Sequence, residues 1–275
     1  RIFRCWPAEQ SPMNEVDPAT FDQLTSIEAK EPTLIEGLPG HGLVASIAVD
    51  QITRQLDLDH HGNISADEFP PVVTFEDGMV RDPVRVYAGE DPALMTLQSD
   101  MALPQEAFEP LSRCVLQDLS EEFGQAIFLA GAPAEREAER GTVRGIATTD
   151  RMREKLQDAG IELADEPGLV GGVTGALVQA CYHGHVPAAV LIVKSHPFLP
   201  DPGAAQEVIE NALEPLVDFD IDTSELEQQA EEIQKRMAQI AEQYQQMVQE
   251  QQQGTRADAG GQPSRIRWMP SKGPV

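Results

Sequence analysis

The run Ala188–Lys194, with the sequence Ala-Ala-Val-Leu-Ile-Val-Lys, constrains the fold more than any other feature of the chain. It is continuously apolar up to its last residue and rich in β-branched side chains. This composition is typical of a strand that is buried on both faces of a parallel sheet. The run therefore predicts a central strand of a largely parallel sheet.

Segments of strand and helix character alternate along the rest of the chain. Further strands are predicted at Thr33–Glu36, Pro71–Phe75, Val84–Ala88, Leu94–Gln98, Ala126–Ala130 and Gly145–Thr148. Helices are predicted at Gly42–Leu56, Pro104–Phe123, Asp150–Ala159 with Asp150 as cap, Gly171–Tyr182, and from Asp201 as cap with Pro202 at the first position. This alternation indicates an α/β sandwich.

A glycine-rich turn, Gly37–Val44, follows the first of these strands and opens the first of these helices. Its special residues are Gly37, Pro39, Gly40 and Gly42. Such a turn is either a phosphate cradle or a packing device, because glycine lets the backbone approach a ligand or another element closely. The Walker lysine is missing, the spacing differs from the dinucleotide fingerprint, and no basic residue occurs between Lys30 and Arg54. We favour packing or oligomer contact over nucleotide binding.

The chain is strongly acidic, with 46 acidic against 20 basic residues and a formal net charge of −26. Such self-repulsion destabilises a compact state at ordinary salt. At molar salt the Debye length falls to about 3 Å, and the repulsion is screened. We therefore hypothesise a cytosol of high ionic strength, as in a halophile. Nucleic acid is disfavoured as a partner, because no basic stripe is present to neutralise phosphates.

Composition also indicates where in the cell the protein occurs and whether it binds a metal or a cofactor. No apolar run approaches the roughly 20 residues of a membrane span, and the N-terminus has no signal-peptide hydrophobic region. We expect a soluble, cytoplasmic protein without membrane contact. Cys5, Cys114 and Cys181 are far apart and form no CxxC or zinc spacing, so we expect no disulfide and no bound metal or cofactor.

Four regions are predicted along the chain. Residues 1–12 and 254–275 are expected to be disordered and outside the native protein, since both are less acidic than the rest. Residues 13–221 form the α/β domain, and residues 222–253 form a C-terminal helix. That helix carries an a/d heptad register: Leu226, Ala230, Ile233, Met237, Ile240, Tyr244 and Met247. This a/d row of apolar residues is narrower than the apolar face of a helix that packs on its own domain. It therefore favours helix-to-helix association, between subunits or with a partner.

Polar residues that follow the central strand form a candidate pocket. Lys194, Ser195, His196 and Asp201 lie at the carboxyl edge of the predicted sheet, where α/β proteins bind ligands, and His41 of the glycine turn is a further candidate. Ser195 and His196 are adjacent, which is poor geometry for a nucleophile and its base, and no Gly-x-Ser-x-Gly elbow is present. We assign no catalytic residue and favour a structural role for the cluster.

The remaining histidines are interpreted as structural. His60-His61-Gly62 and the segment Cys181–His185 are each predicted at a helix C-terminus, with Gly184 as the cap of the second. No Asp or Glu lies between Glu166 and Asp201 to complete a metal site with the second group.

Several motifs occur together in collinear order over roughly residues 30–217. They are Gly37–Val44, Phe69-Pro70-Pro71, Glu76-Asp77-Gly78, Gly168–Gly175, Ser195-His196-Pro197 and Asp201–Ala205. In these motifs and their order the chain resembles the PAC2 family, the archaeal relatives of proteasome assembly chaperones. The resemblance implies a three-layer α/β/α fold like that of nucleoside phosphorylases, homo-oligomers, and for some members a role in assembling or binding the 20S proteasome, without established catalysis.

Two functions follow from the resemblance. The first is a non-enzymatic, oligomeric chaperone or adaptor that acts on proteasome subunits or a related chaperone. For this function the chain lacks one feature of some family members, because it ends in Gly273-Pro274-Val275 and not in a hydrophobic-Tyr-x tail. The second is a small-molecule binder or a phosphorylase-like or hydrolytic enzyme centred on His41, Lys194 and His196. The sequence places no arginine near these motifs to hold phosphate, and Lys194 stands where many relatives have an acidic residue, which weakens the second function.

Overall fold

A computed structural model describes residues 19–76 and 78–236 of the chain. Ten strands occur in these residues: β1 Thr20–Gln23, β2 Thr33–Gly37, β3 Asp59–Ser65, β4 Thr74–Glu76, β5 Met79–Arg81, β6 Val84–Glu90, β7 Ala93–Ser99, β8 Gln125–Pro133, β9 Val143–Ala147 and β10 Ala188–Ser195. Eight of them form one sheet in the order β1-β3-β6-β7-β2-β8-β10-β9, and β4 and β5 form a separate hairpin.

The large sheet is mixed, with its parallel pairings in the centre. Strands β7, β2, β8 and β10 run parallel to one another. Strand β9 is antiparallel to β10, and β6, β3 and β1 continue the other side as antiparallel neighbours. Only two residues separate β6 from β7, a connection too short for a parallel crossover. The predicted largely parallel sheet therefore describes the four strands around β2 and β8.

Helices cover both faces of the sheet. They are α1 Val44–Gln55, α2 Phe108–Cys114 with the π-helical continuation Val115–Leu119, α3 Asp150–Asp158, α4 Gly172–Gly184, α5 Pro202–Val208 with the π-helical continuation Ile209–Leu213, and α6 Glu214–Val217. Short 3₁₀ turns occur at His41–Leu43, Gln105–Ala107 and Glu137–Glu139, and residues 224–236 are helical.

The core is divided by the sheet into two apolar clusters. Successive residues of a strand alternate between them, as the pleat requires: Leu34 and Val190 face the cluster of α2 and α4, whereas Ile35 and Leu191 face that of α1, α3, α5 and α6. The chain therefore forms three layers, α/β/α. The likeness to nucleoside phosphorylases stays a prediction.

Strand β3 is the largest departure from the predicted elements. His60, His61 and Gly62 lie within it and not at a helix end, because Asp57 adopts a left-handed conformation (φ 51°) that turns the chain from α1 straight into β3. The buried His61 ring lies 2.7 Å from a carboxylate oxygen of Glu122, through Nε2. Strand β1 was not predicted either, and residues 71–73 precede β4 without strand structure.

The helix caps confirm one prediction and correct two. Asp201 caps α5 with Pro202 at its start, as predicted. At α3 the cap is Thr149 and not Asp150, because the Thr149 hydroxyl accepts the Met152 amide at 3.2 Å. At the end of α4, His185 and not Gly184 takes the left-handed conformation (φ 59°).

The described chain falls into two compact units, one ending at Gln229 and the other beginning at Ala230. Leu226, the first heptad residue, is buried in the α1-side core, and Ala230 and Ile233 are half-buried. The other heptad residues, Met237, Ile240, Tyr244 and Met247, lie outside the described residues, as do the predicted flanks. The four predicted regions and the association of the helix stay predictions. No helix within residues 19–76 and 78–236 has the length and apolar character needed to cross a bilayer.

Candidate functional site

The carboxyl ends of β7, β2, β8 and β10 meet along one side of the sheet, which we call the carboxyl edge. The loop of residues 66–83 lies at the same edge, because Val84, the first residue of β6, pairs with Ser99, the last residue of β7. The start of α4 lies there as well, since Thr174 in its first turn contacts Glu36 near the end of β2. In open α/β sheets this is the edge at which ligands and partners bind.

The glycine turn packs against two elements at this edge. A Cβ atom at Gly37 would lie 2.5 Å from the Cβ of Val49, so β2 and α1 approach each other more closely than any side chain at position 37 permits. Gly42 has a left-handed backbone (φ 65°), and a Cβ there would lie 2.6 Å from the Ser195 hydroxyl. The turn therefore joins β2, α1 and the end of β10.

Asp201 joins the loops of the carboxyl edge. Its Oδ1 accepts the Ala204 amide at 3.1 Å, its Oδ2 accepts the His196 amide at 2.7 Å, and its own amide donates to the Gly42 carbonyl at 2.9 Å. Arg140 donates to both carboxylate oxygens, at 2.7 and 3.1 Å. Burial acts to raise the pKa of Asp201, but the bonds from Arg140 and the two amides outweigh it and lower that pKa. Asp201 is therefore an ionised structural link.

Arg140 corrects the expectation that no arginine lies near the candidate pocket. It follows the 3₁₀ turn Glu137–Glu139 and is 61 residues from Asp201 in sequence. It also pairs with Glu137. Because a loop on another strand brings it in, no local pattern around Asp201 predicts it. Its donors are engaged by the two carboxylates and not directed at an anion.

The other candidate residues do not form one open pocket. The Lys194 ammonium donates to the Pro133 carbonyl at 3.3 Å, and His196 Nδ1 accepts the Phe198 amide at 3.2 Å. Ser195 is buried beneath Gly42, and neither its hydroxyl nor the Nε2 of His41 has a hydrogen-bond partner among the described residues. The structure thus brings Ser195, His196 and Asp201 together beside the glycine turn, where they pack against it and form no open pocket.

Glu36 is a buried polar residue that is not among the predicted site residues. It lies on β2 directly before the glycine turn and is fully buried. Burial raises its pKa to about 8, although its carboxyl accepts the Leu38 and Leu129 amides and faces the Thr174 hydroxyl at 3.4 Å. Within residues 19–76 and 78–236, the groups that lower its pKa are these three neutral donors, and no cation is among them. The sequence signal that could have identified it is a glutamate at the end of an apolar strand.

A cavity of about 460 Å³ opens beside the predicted pocket, between the ends of β2 and β7. Strand β2 continues into α1 on one face of the sheet, and β7 continues into α2 on the other. Such a switch of direction leaves a crevice between neighbouring parallel strands. The cavity is lined by Gly37, Pro39, Leu43, Ser46, Ile47, Asp50 and residues 98–102. None of the five predicted pocket residues lines it. Within the described residues, no group of three or more His, Cys, Asp or Glu is arranged to hold a metal ion.

The most distinctive property of the carboxyl edge is its exposed apolar surface. Among the described residues, ten large apolar side chains are exposed, and eight of them lie in loops at this edge. The eight are Leu43, Val72, Val73, Phe75, Met79, Val80, Leu169 and Phe198. Leu24 and Tyr182 lie at the opposite edge. Exposed apolar side chains concentrated at one edge are a feature of protein interaction sites.

Known proteins resemble this chain in sequence and in structure. Uncharacterized protein MJ0106 of Methanocaldococcus jannaschii is 29% identical over 222 residues, which are 81% of this chain and 90% of the relative. PbaA of Pyrococcus furiosus, an archaeal homolog of proteasome-assembly chaperone, superimposes with a TM-score of 0.72 at 22% identity, covering 87% of this chain and 98% of PbaA. PbaB of the same organism, an archaeal proteasome activator, gives a TM-score of 0.70 at 20% identity, over 82% and 99% of the two chains.

The structural likenesses establish the fold. The sequence comparison goes further, because the PAC2 family matches residues 34–241, from the middle of β2 to beyond the last described helix. This range includes the glycine turn, Glu36 and the Asp201 cluster. The chain belongs to the PAC2 family.

Proposed function

We propose that this protein is a non-enzymatic assembly chaperone or adaptor that acts, as a homo-oligomer in the cytoplasm, on subunits of the 20S proteasome. Family membership and the likeness to PbaA support a chaperone-type role. The observation that carries the proposal is the concentration of exposed apolar side chains at the carboxyl edge.

An assembly chaperone covers surfaces that its partner later buries against other subunits, and it needs apolar surface of its own to do so. Burial of one large apolar side chain contributes about 1.5–3 kcal/mol. Eight such side chains at one edge therefore offer enough binding energy for a specific complex, even after the cost of association.

The enzymatic alternative has no comparable support. Asp201 uses both carboxylate oxygens to hold Arg140, His196 and Ala204. Arg140 is directed at carboxylates, and the Lys194 ammonium at a backbone carbonyl. These side chains stabilise the loops of the carboxyl edge and are not arranged around an open reaction site.

The proposal is tested by mixing the purified chain with purified proteasome α subunits from its native host in concentrated KCl. We expect a complex in sedimentation velocity and faster assembly of α rings. The double variant Leu169→Ser, Phe198→Ser should weaken the complex at least tenfold, whereas Tyr182→Ser at the opposite edge should leave it unchanged. Absence of a complex at the native salt concentration would refute the proposal.

A further inference from the structure

The hairpin of β4 and β5 is fixed to the main sheet by one face. Thr74 and Arg81 are paired across it, and both reach towards the sheet. The Thr74 hydroxyl accepts Arg85 Nη1 at 3.1 Å, and Arg81 Nη1 lies 3.4 Å from His60 Nδ1. Side chains alternate between the faces of a strand. The next pair, Phe75 and Val80, therefore lies on the opposite face.

That opposite face is apolar and uncovered by any described residue. Phe75 is 80% exposed and Val80 69% exposed. Val73, two residues before Phe75, is 62% exposed. Val72, before the strand, and Met79, which is paired with Glu76 at the hairpin end, are exposed as well. We call these five residues the hairpin surface. A two-stranded hairpin alone is marginally stable in water, so a partner that covers this face would add stability as well as contact area.

The loop that carries the hairpin surface is acidic, and this charge defines the partner. The loop of residues 66–83 contains five acidic residues, Asp67, Glu68, Glu76, Asp77 and Asp82, and one basic residue, Arg81. The formal charge of the loop is therefore −4. At low salt, a second copy of this face would bring the same negative charge against it. The complementary occupant carries positive charge.

We propose that the hairpin surface is a docking site for a partner protein, through an apolar segment flanked by lysine or arginine. The apolar side chains of that segment cover Phe75 and Val80, and its cations face the carboxylates of Asp67 and Asp82. This site goes beyond the proposed function, because it does not depend on the partner being a proteasome subunit.

The test uses the full-length chain and two synthetic peptides, read by fluorescence anisotropy. One peptide has the sequence Lys-Lys-Val-Thr-Phe-Thr-Val-Lys-Lys, and the other replaces its four lysines by glutamate. We expect the lysine-flanked peptide to bind at least tenfold more tightly at the lowest KCl concentration at which the chain remains folded. The difference should shrink at 3 M KCl, where charges are screened within about 3 Å. Equal affinity at low salt, or no binding of either peptide, would overturn the proposal.

Variants locate the site. Phe75→Ser with Val80→Ser should reduce affinity for the lysine-flanked peptide at least tenfold, and Leu169→Ser with Phe198→Ser should leave it unchanged. Asp67→Lys with Asp82→Lys retains the apolar face and should remove the preference for lysine over glutamate. The site is refuted if Phe75→Ser with Val80→Ser leaves the affinity unchanged. It is also refuted if Asp67→Lys with Asp82→Lys leaves the preference for the lysine-flanked peptide unchanged. Failure of the proteasome experiment with success here would refute the proposed function and leave this docking site standing.

Discussion

At the scale of single residues, the carboxyl edge contains two buried carboxyl groups whose pKa values are shifted in opposite directions. Asp201 is ionised and bound to Arg140, whereas the described donors to Glu36 are neutral and its pKa is raised. The cap role of Asp201 was predictable from the adjacent Pro202, because capping is local. The Arg140 pair was not, because it joins loops of different strands.

The buried pair makes Asp201 important for stability. We expect Asp201→Ala to lower the free energy of unfolding by about 3–5 kcal/mol, because it leaves Arg140 without its buried partner and removes the cap of α5. The matched control is Asp150→Ala, an exposed aspartate in a first helical turn, which should cost less than about 1 kcal/mol. Urea unfolding in concentrated KCl measures both, and similar losses would contradict the role of the pair.

Glu36 gives stability a pH dependence of defined sign. Its folded pKa, about 8, exceeds the ordinary value of 4.5, so the folded state binds the proton more tightly than the unfolded state. The contribution of Glu36 to the free energy of unfolding therefore falls as pH rises from about 4.5 to 8, by up to about 1.4 kcal/mol per pH unit. We expect Glu36→Gln to remove this slope, so that the variant gains stability relative to the parent between pH 6 and 8. Parallel curves of unfolding free energy against pH would show that Glu36 does not titrate in this range.

At the scale of elements, the sequence predicts what periodicity determines. Strand β10 was predicted because its apolar run is continuous, and α1 because Val44, Ala48 and Ile52 share one face. Strand β3 was not, because His60 and His61 interrupt its apolar pattern. His61 is tolerated in the interior through its bond to Glu122, a contact that only the tertiary structure supplies.

The contact of β2 with α1 can be tested at the glycine turn. We expect Gly37→Ala to cost about 1–3 kcal/mol, because the new methyl group would overlap Val49 and force the helix away from the strand. Gly40→Ala is the matched control, since position 40 has an extended backbone and open space around its Cβ direction. Thermal unfolding compares them. Val49→Ala should recover part of the loss in the Gly37→Ala background, and equal effects at positions 37 and 40 would exclude close packing as the reason for glycine.

At the scale of the whole molecule, charge and apolar surface have opposing consequences. A net charge of −26 keeps copies of the chain apart at low salt, whereas the exposed apolar loops favour association. The sequence gives the charge directly, but it does not predict the apolar edge. Leu43, Phe75, Leu169 and Phe198 are far apart in sequence, and only the directions of the strands in the sheet bring their loops to the same edge.

Salt should therefore govern the stability of the whole chain. Raising KCl from 0.1 to 3 M shortens the Debye length from about 10 to 3 Å, which screens the repulsion among carboxylates in the folded state. We expect the free energy of unfolding to rise by at least about 2 kcal/mol, or roughly 4–8 °C in Tm for a domain of this size. Sorbitol at equal osmolality is the control, because it leaves the Debye length unchanged and should raise Tm less. If stability is independent of KCl, or if sorbitol reproduces the whole effect, then screening of the acidic surface is not what stabilises this protein.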